Sequence, residues 1–583
     1  MLVAQDELEY VFTHELLRDA IHGDLSPLAR RELHLSMSRH LRARERPGSR
    51  TAEISDHLTA ARPLGSAADV LEYAIRSARE AASRFAYSAA QSYFRRALKL
   101  LDDDPESAAP ARGGLLLEYA RSRLYSGERE EARSTLLEAA TLARSSDSSS
   151  LLAECALQLA PDFLSIEMGF YDATLVELIE EALDLVPEDE PALRAQLLAR
   201  LCQAKQWATP ASDTVLEELS EQALSAAERS GEPRAIYAAL EARADSLHGP
   251  DRVDERLDTI QELTHRGGRG QGGPAVILQH IRRVAALLEL GDMGTLDAAI
   301  DACDEAAREL NLPQYLWYPL AFRASRALMQ GELARADELG ERFTTIGLQT
   351  GDRNVAASRA CQAAVLALEN DQAHRAVRIC SDFIMRFPRV RAWSAGMALL
   401  CLYTRNRRRA MRILASFDEQ GVRSLFRETG GSAGAAFLAQ LAIAVSDGPL
   451  MKTLYELLAP VGDRGATLGL GTAYFGCFAR YSGLLARALG LPGEANEHLR
   501  AAVALETQRG ATLYRAHAQI DLALALVSSS GSKREARALI GSAAREAEAS
   551  GLPRVQRRIG PALAALRKQA GEASRSGRAR ERD

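Results

Sequence analysis

Two helical hairpins between Tyr481 and Pro553 are written to one ruler, and that ruler limits what the chain can fold into. Gly490-Leu491-Pro492-Gly493-Glu494-Ala495 and Gly531-Ser532-Lys533-Arg534-Glu535-Ala536 each open with a glycine and place an alanine five positions later. An amphipathic segment comes after each, ending at Gly510 or Gly551. Gly490 and Gly531 are 41 residues apart, and so are Gly510 and Gly551. A fixed period of about 20 to 50 residues marks stacked supersecondary units, none of which can bury its apolar face alone. The turn spacing recurs at Gly127 to Ala132 and Gly331 to Ala336, and without glycine at Asp371 to Ala376 and Arg405 to Ala410. Such replacements are expected where the turn does not need a left-handed backbone.

Composition decides what the repeating unit is made of. Hydrophobic residues make up 47% of the chain, charged residues 26% and aromatic residues 5%. Ala, Leu, Arg and Glu, all strong helix formers, dominate over the β-branched and aromatic residues that strands favour, so the expectation is all-α. At 583 residues the chain exceeds the size of a single core, which suits an elongated array. A net charge of −6 is small for this length and argues against a nucleic acid, a membrane or an acidic substrate as partner.

The seven cysteines, 155, 202, 303, 361, 380, 401 and 477, are scattered with no C-x-x-C pair and read as buried thiols in a reducing compartment. The N-terminus lacks a basic segment followed by an apolar run, and the longest nearly apolar stretch, Ala433 to Val445, is too short to span a bilayer. The expected location is the cytoplasm.

Residues 1–47 break the ruler. Glu9-Tyr10-Val11-Phe12 reads as a short strand, His14 to Ile21 as a short helix, and Asp24-Leu25-Ser26-Pro27 as a turn into a second helix. Phe12-Thr13-His14-Glu15-Leu16-Leu17-Arg18-Asp19-Ala20-Ile21, with Leu25-Ser26-Pro27, Arg30-Arg31 and Leu33-His34 after it, resembles the F-x-H-x-L-x-R-x-A segment of large bacterial signal-transducing (STAND-type) ATPase regulators. Some members of that family carry an adenylate-cyclase-like domain and others a LuxR-type DNA-binding domain. The resemblance implies that residues 1–47 are a winged-helix-like remnant of the end of the ATPase module, and that His14 and Arg18 lie against its nucleotide.

Further on, the resemblance is to the tetratricopeptide-like superhelix of those regulators. It is carried by Leu197 to Leu201 with Trp207, His248-Gly249-Pro250-Asp251-Arg252, Leu290-Gly291-Asp292, Trp317-Tyr318 with Arg323-Ala324, Pro388 with Trp393, Tyr455 to Pro460, and Arg480 to Ala486. The expected organisation is the remnant at 1–47, first tetratricopeptide-like hairpins at 48–190, the superhelix at 191–570 and a disordered charged tail at 571–583. Ala89-Ala90-x-x-Tyr93-x-x-x-Ala97-Leu98 reads as one of the hairpin helices, with Tyr93 filling the space between units. The fold class expected is an all-α, right-handed α-solenoid of tetratricopeptide-like hairpins.

Motifs for catalysis are weak. Gly268-Arg269-Gly270-Gln271-Gly272-Gly273 matches G-x-G-x-x-G, but a helical segment precedes it and Pro274 comes directly after, so it reads as a flexible loop. No G-x-x-x-x-G-K-[ST] is present, and His14-Glu15 lacks the second histidine of H-E-x-x-H. No catalytic residue, cofactor or metal is expected. His14 reads either as a sensor of nucleotide phosphates held by an ATPase domain or as a residue that caps and packs at a helix start.

Trp317, Tyr318 and Arg323, and Tyr474, Arg480 and Tyr481, interleave aromatics with arginine. They read either as partner contacts on a concave face or as plugs between repeats. The basic C-terminal run, including Arg554, Arg557 and Arg558, reads as a solvated face. The function expected is a non-enzymatic regulatory scaffold that binds a protein or a small effector on its concave face, with an ATPase domain supplied in cis or in trans. The alternative is a fragment of an ATP-dependent regulator or cyclase whose catalytic domains lie upstream.

Overall fold

The computed structural model describes all residues except 1, 7–8, 13–14, 45–49, 103–108, 163–164, 168, 209–212, 268–272, 351, 388–389, 530 and 581–583; towards the termini, side chains are described from Ala20 to Lys568. Contacts divide the chain into two compact units, Met1–Leu159 and Ala160–Asp583. Segment 160–190, grouped with the first hairpins on sequence grounds, is tied into the second unit. Tyr315 Oη donates to Asp162 Oδ2 at 3.0 Å, and Asn354 Nδ2 donates to the Ile166 carbonyl at 3.4 Å.

The first unit opens with antiparallel strands β1 (Leu2–Asp6) and β2 (Glu9–Phe12), then helices Glu15–Asp24 and Pro27–Ala43. Ser26 caps the second helix by accepting from the Ala29 amide at 3.2 Å, the bond expected of a Ser-Pro start. Among the described residues six more helices follow, from Thr51–Ala60 to Ser149–Leu159, each packed against its neighbour. In helix Tyr87–Leu101 the inward stripe is Ala90, Phe94, Ala97 and Leu98, spaced i, i+4, i+7 and i+8. Phe94, not Tyr93, therefore fills the space between units. Tyr93 lies about 100° round the helix, half-buried, with the Arg96 guanidinium 5.1 Å from its ring centroid.

The second unit is an all-α solenoid of helical hairpins that closes on itself. Helix Tyr318–Gln330 packs on Thr512–Ser528, and Arg353–Glu369 packs on Pro553–Arg580. The last helix runs as far as Arg580, so the expected tail from Gly571 is helical to that point. Outer helices bury one stripe; Met293–Leu310 buries Leu296, Ala299, Ile300, Cys303 and Ala307. Inner helices are buried over most of their surface. Pro274–Leu290 encloses Ile277, Ile281, Val284 and Leu288 together with polar Gln279, Arg282 and Glu289.

The inner face is covered by the chain itself. Strands β3 (Gly465–Leu468) and β4 (Ala473–Cys477) form an antiparallel hairpin that touches inner helices Pro274–Leu290, Tyr318–Gln330, Arg353–Glu369, Gly431–Val445 and Phe478–Ala488. Gln362 Nε2 holds its tip, donating to the Thr472 carbonyl at 2.6 Å and to the Ala321 carbonyl at 2.9 Å. Ser432 Oγ donates to the Thr467 carbonyl at 2.8 Å and accepts from its amide at 3.0 Å.

Left-handed turns set the repeat, though not only at glycines. Gly490, Gly510 and Gly551 have φ of 79°, 62° and 60°. Asp371 and Arg405, expected to mark turns that need no left-handed backbone, have φ of 59° and 60°. At Asp371 and Arg405 this conformation costs about 1 kcal/mol for a non-glycine, whereas Gly531, which opens the second copy of the ruler, is not left-handed. The two copies of the ruler also differ. The helix before Gly531 ends at Ser528, three positions earlier, whereas the helix before Gly490 ends at Ala488, two positions earlier.

Gly291 marks the closure. Its φ is 81°, and a Cβ there would lie 2.1 Å from Nε and 2.3 Å from Nη2 of Arg509. The Arg509 guanidinium donates to Tyr474 Oη at 2.8 Å, to the Leu290 carbonyl at 3.4 Å and to the Asp463 carbonyl. Gly490 has nothing within 4 Å of a built Cβ. Gly490→Ala should therefore cost only its backbone strain, about 1 kcal/mol. Gly291→Ala should lower the melting temperature clearly further, because it also displaces a buried, hydrogen-bonded arginine. Equal shifts in thermal melts of the two variants would contradict this role for Arg509.

Candidate functional site

The residues singled out in sequence are spread over three environments. Trp317 and Tyr318 are buried, their rings stacked with centroids 3.7 Å apart, and Trp317 Nε1 donates to Asp352 Oδ2 at 3.1 Å. Tyr474 is buried between Glu506, to which its hydroxyl donates at 3.0 Å, and Arg509. Tyr481 is buried and donates to the Phe475 carbonyl. These four aromatics lie inside the solenoid and offer no surface to a partner. Arg323, on the inner helix Tyr318–Gln330, is half-exposed and reaches the outer helix Met293–Leu310, paired with Asp304 at 2.6 Å and Asp301 at 2.9 Å. His14 lies outside the described residues; Arg18 falls in helix Glu15–Asp24, with its side chain outside the description. Of the glycine-rich loop, residues 268–272 are likewise outside it, and Gly273 directly precedes helix Pro274–Leu290.

Of these, Arg480 lines a cavity among the described residues. The cavity has a volume of about 510 Å³ and lies along the seam where the C-terminal helix meets the middle of the unit. Leu368, Asp371 and Ala373 form one rim; Arg554, Arg557, Arg558, Pro561 and Ala562 form the opposite one. Tyr403, Gln440, Arg480, Leu484, Ile520, Asp521 and Leu524 supply the remaining walls. The spacing of Arg554, Arg557 and Arg558, i, i+3 and i+4, puts all three on one helical face. They are thus part of the seam and not only the solvated face expected from sequence.

The seam is held by charge. Arg554 Nη1 meets Glu369 at 2.7 Å, Arg557 Nη1 meets Asp371 at 2.5 Å, and Asp521 is shared by Arg480 Nε at 2.8 Å and Arg558 Nη2. The Arg554 guanidinium also lies 4.8 Å from the Tyr403 ring centroid, a cation–π distance. His517 bridges two of these pairs. Arg558 Nη1 approaches its Nδ1 at 2.8 Å, and arginine only donates, so Nδ1 accepts and Nε2–H donates to Glu369 Oε2 at 3.0 Å.

Burial and partners set the protonation states. Burial alone would raise the carboxyls of Asp521 and Glu369. Arg558 and Arg480 outweigh it and hold Asp521 at about 2, while Arg554 and His517 hold Glu369 below the usual range. Burial lowers His517 to about 4 despite Glu369, matching the neutral tautomer that the hydrogen bonds require. Sequence reasoning missed Glu369, His517 and Asp521. The signal was present: His517, Gln519 and Asp521 interrupt an otherwise apolar run, Ala516 to Leu526, and a charge in such a helix needs a partner elsewhere.

Two other hollows lie in the second unit. A groove of about 620 Å³ runs over exposed residues at hairpin turns and helix starts such as Glu332, Arg335 and Arg375. A smaller cavity of about 110 Å³ is enclosed by His248, Arg256, Thr429 and the β3–β4 tip. Among the described residues no group of histidines, cysteines and acids is arranged to hold a metal ion, and no helix is long and apolar enough to cross a membrane. All seven cysteines are buried and unbridged.

No family model and no curated protein sequence matches the chain. Among solved structures it is similar to one titled as the APC/C hetero-tetramer Cut9-Hcn1, at 13% identity and a TM-score of 0.40, covering 85% of this chain and 96% of that one. It is also similar to the STAND protein PH0952 with a tetratricopeptide repeat sensor from Pyrococcus horikoshii, at 12% identity and a TM-score of 0.37, covering 73% and 66%.

Two seam groups, Asp521 and His517, make stability depend on pH in the same direction. Asp521, held low in the fold, contributes fully above its unfolded pKa near 3.8, and the contribution fades as pH falls towards about 2. His517, neutral in the fold, begins to destabilise it as pH drops below its ordinary 6.5, and continues to do so down to about 4. Such a histidine gives a slope of up to about 1.4 kcal/mol per pH unit. His248, lowered to about 4 by burial, acts with the same sign. Stability should therefore fall between pH 6.5 and 4, and His517→Gln should flatten that limb in part. Denaturant melts across this range check it; an unchanged slope in the variant would contradict the neutral assignment.

Proposed function

We propose that the chain is a non-enzymatic regulatory scaffold that senses a small effector at the seam pocket and relays its presence through closure of the second unit. The observation that carries this reading is that the pocket takes its two rims from the two elements that meet when the solenoid closes: Leu368, Asp371 and Ala373 on one side, Arg554, Arg557 and Arg558 on the other. A ligand touching both rims binds the closed state more tightly than an open one, and shifts the balance by that difference in affinity. The inner face, where stacked hairpins commonly take an extended peptide, is covered by the β3–β4 hairpin, which favours a small effector in the pocket over a peptide along the groove.

The output is contact with a protein partner. The resemblance of residues 1–47 to the end of a signal-transducing ATPase module supports an ATPase domain as that partner, in cis or in trans. Catalysis has no part in the proposal, and ATP turnover by the purified chain would contradict it. The switching itself is tested by loosening the seam. Arg557→Asp sets two acids against each other at the Arg557–Asp371 pair, which lies at the rim with the arginine side chain 70% exposed. Tagged chain and variant, each used to capture proteins from a lysate of the native organism, should retain different sets. Identical sets in identical amounts would contradict a scaffold whose closure governs partner binding.

A further inference from the structure

Arg480 makes a single side-chain hydrogen bond despite its burial, and its guanidinium also lies 5.6 Å from the Tyr481 ring centroid. Its side chain is 9% exposed, and among the described residues its only hydrogen bond runs from Nε to Asp521 Oδ2. Its Nη1 and Nη2 groups make none, yet neither is sealed from solvent, and the residue lines the seam pocket. A guanidinium carries five N–H donors in a planar fork that matches two oxygens of one anion. A buried arginine that lines a cavity with these donors unbonded can engage an anion there.

The charge around it is not balanced within the protein. Arg480, Arg554, Arg557 and Arg558 face Glu369, Asp371 and Asp521, and Asp521 serves two of the arginines. The remaining titratable neighbour in this group, His517, is neutral by its hydrogen bonds. One positive charge is therefore left over. The other polar groups in the walls, Tyr403 and Gln440, are uncharged and are bonded to each other at 3.1 Å. Leu484, Ile520 and Leu524 supply an apolar wall. A volume of about 510 Å³ lies within the range of small-molecule sites, about 300 to 1,000 Å³.

We infer that the seam pocket binds a small organic anion, a carboxylate or phosphate group engaging the Arg480 fork, with Arg557 at the mouth and the carbon skeleton against Leu484, Ile520 and Leu524. This rests on the effector-sensing reading and names the ligand class for that site. Arginine is required at position 480, because lysine can keep the charge beside Asp521 but cannot present two parallel donors. Arg557 attracts the anion without forming part of the buried framework, so its removal leaves the fold in place.

The test uses the full chain with citrate and with inorganic phosphate as probes, in isothermal titration at constant ionic strength set by sodium chloride. Saturable binding of at least one probe, with one site per chain, is expected. Arg557→Ala should weaken it several-fold and Arg480→Lys at least tenfold, with the melting temperature of Arg557→Ala unchanged. Absence of saturable binding by both probes, or undiminished binding in Arg480→Lys, would overturn the inference. Hydrogen exchange at 368–373 and 553–562 separates it from the sensing reading. Anion binding that leaves these segments unprotected keeps the site and removes the sensing role. Protection by uncharged solutes of similar size, with none from either anion, keeps the sensing role and removes the anion.

Discussion

The closed form of the second unit depends on Arg509. Its guanidinium occupies the space that a side chain at position 291 would need, and from there it reaches the Leu290 carbonyl, the Asp463 carbonyl and the Tyr474 hydroxyl. These partners come from an inner helix end, the turn before β3, and β4. Its own carbonyl accepts from Arg326 Nη1 at 3.2 Å, which adds a second inner helix. A charge buried this deeply is tolerable only with its donors engaged and a carboxylate near. Glu506, three residues earlier on the same chain segment, supplies the negative charge, accepting from Tyr474 and from the Cys477 amide at 2.6 Å.

Once the chain has returned to that point, the same need to pair buried charge fixes its last helices. Thr512–Ser528 must settle with Asp521 and His517 facing partners, and Pro553–Arg580 supplies them with Arg558, while Arg480 comes from Phe478–Ala488. Removing one member of such a network leaves the others unpaired at low dielectric, which is why the seam is a defined interface and not a sliding one. The inner helices repeat this pattern away from the seam: Arg282 is buried between Glu241 at 2.9 Å and Asp245 at 2.8 Å. An ordinary solenoid can grow by adding units. In this unit later helices are also matched in charge to earlier ones, Arg554 to Glu369 and Arg557 to Asp371.

The sequence made the hairpins legible because packing repeats them: alanine seams, turn residues and amphipathic stripes are local and recur at a countable spacing. Closure was not legible, since Glu369 meets Arg554 across 185 positions and nothing local to either residue says so. The β3–β4 hairpin was missed for a different reason. Five glycines, 462, 465, 469, 471 and 476, interrupt the helical spacing between Leu458 and Phe478, and that interruption was a readable sign of irregular backbone. The candidate site was half visible. Arg480 stood out through its aromatic neighbour, whereas those aromatics are themselves interior: Trp, Tyr and Arg at helical spacing serve cores and surfaces alike, and only burial separates the two.

The claim on which the rest depends is that the second unit is closed over its own hairpin. Amide hydrogen exchange of Thr467, Leu468 and Ala473 to Cys477 in the full chain at neutral pH measures this directly. Closure predicts that these amides exchange as slowly as those of the inner helix Tyr318–Gln330, because both become accessible only when the unit opens. Exchange at the rate of the exposed turns around Gly490 and Gly551 would mean that the hairpin lies free and the inner face is open, and would contradict the account.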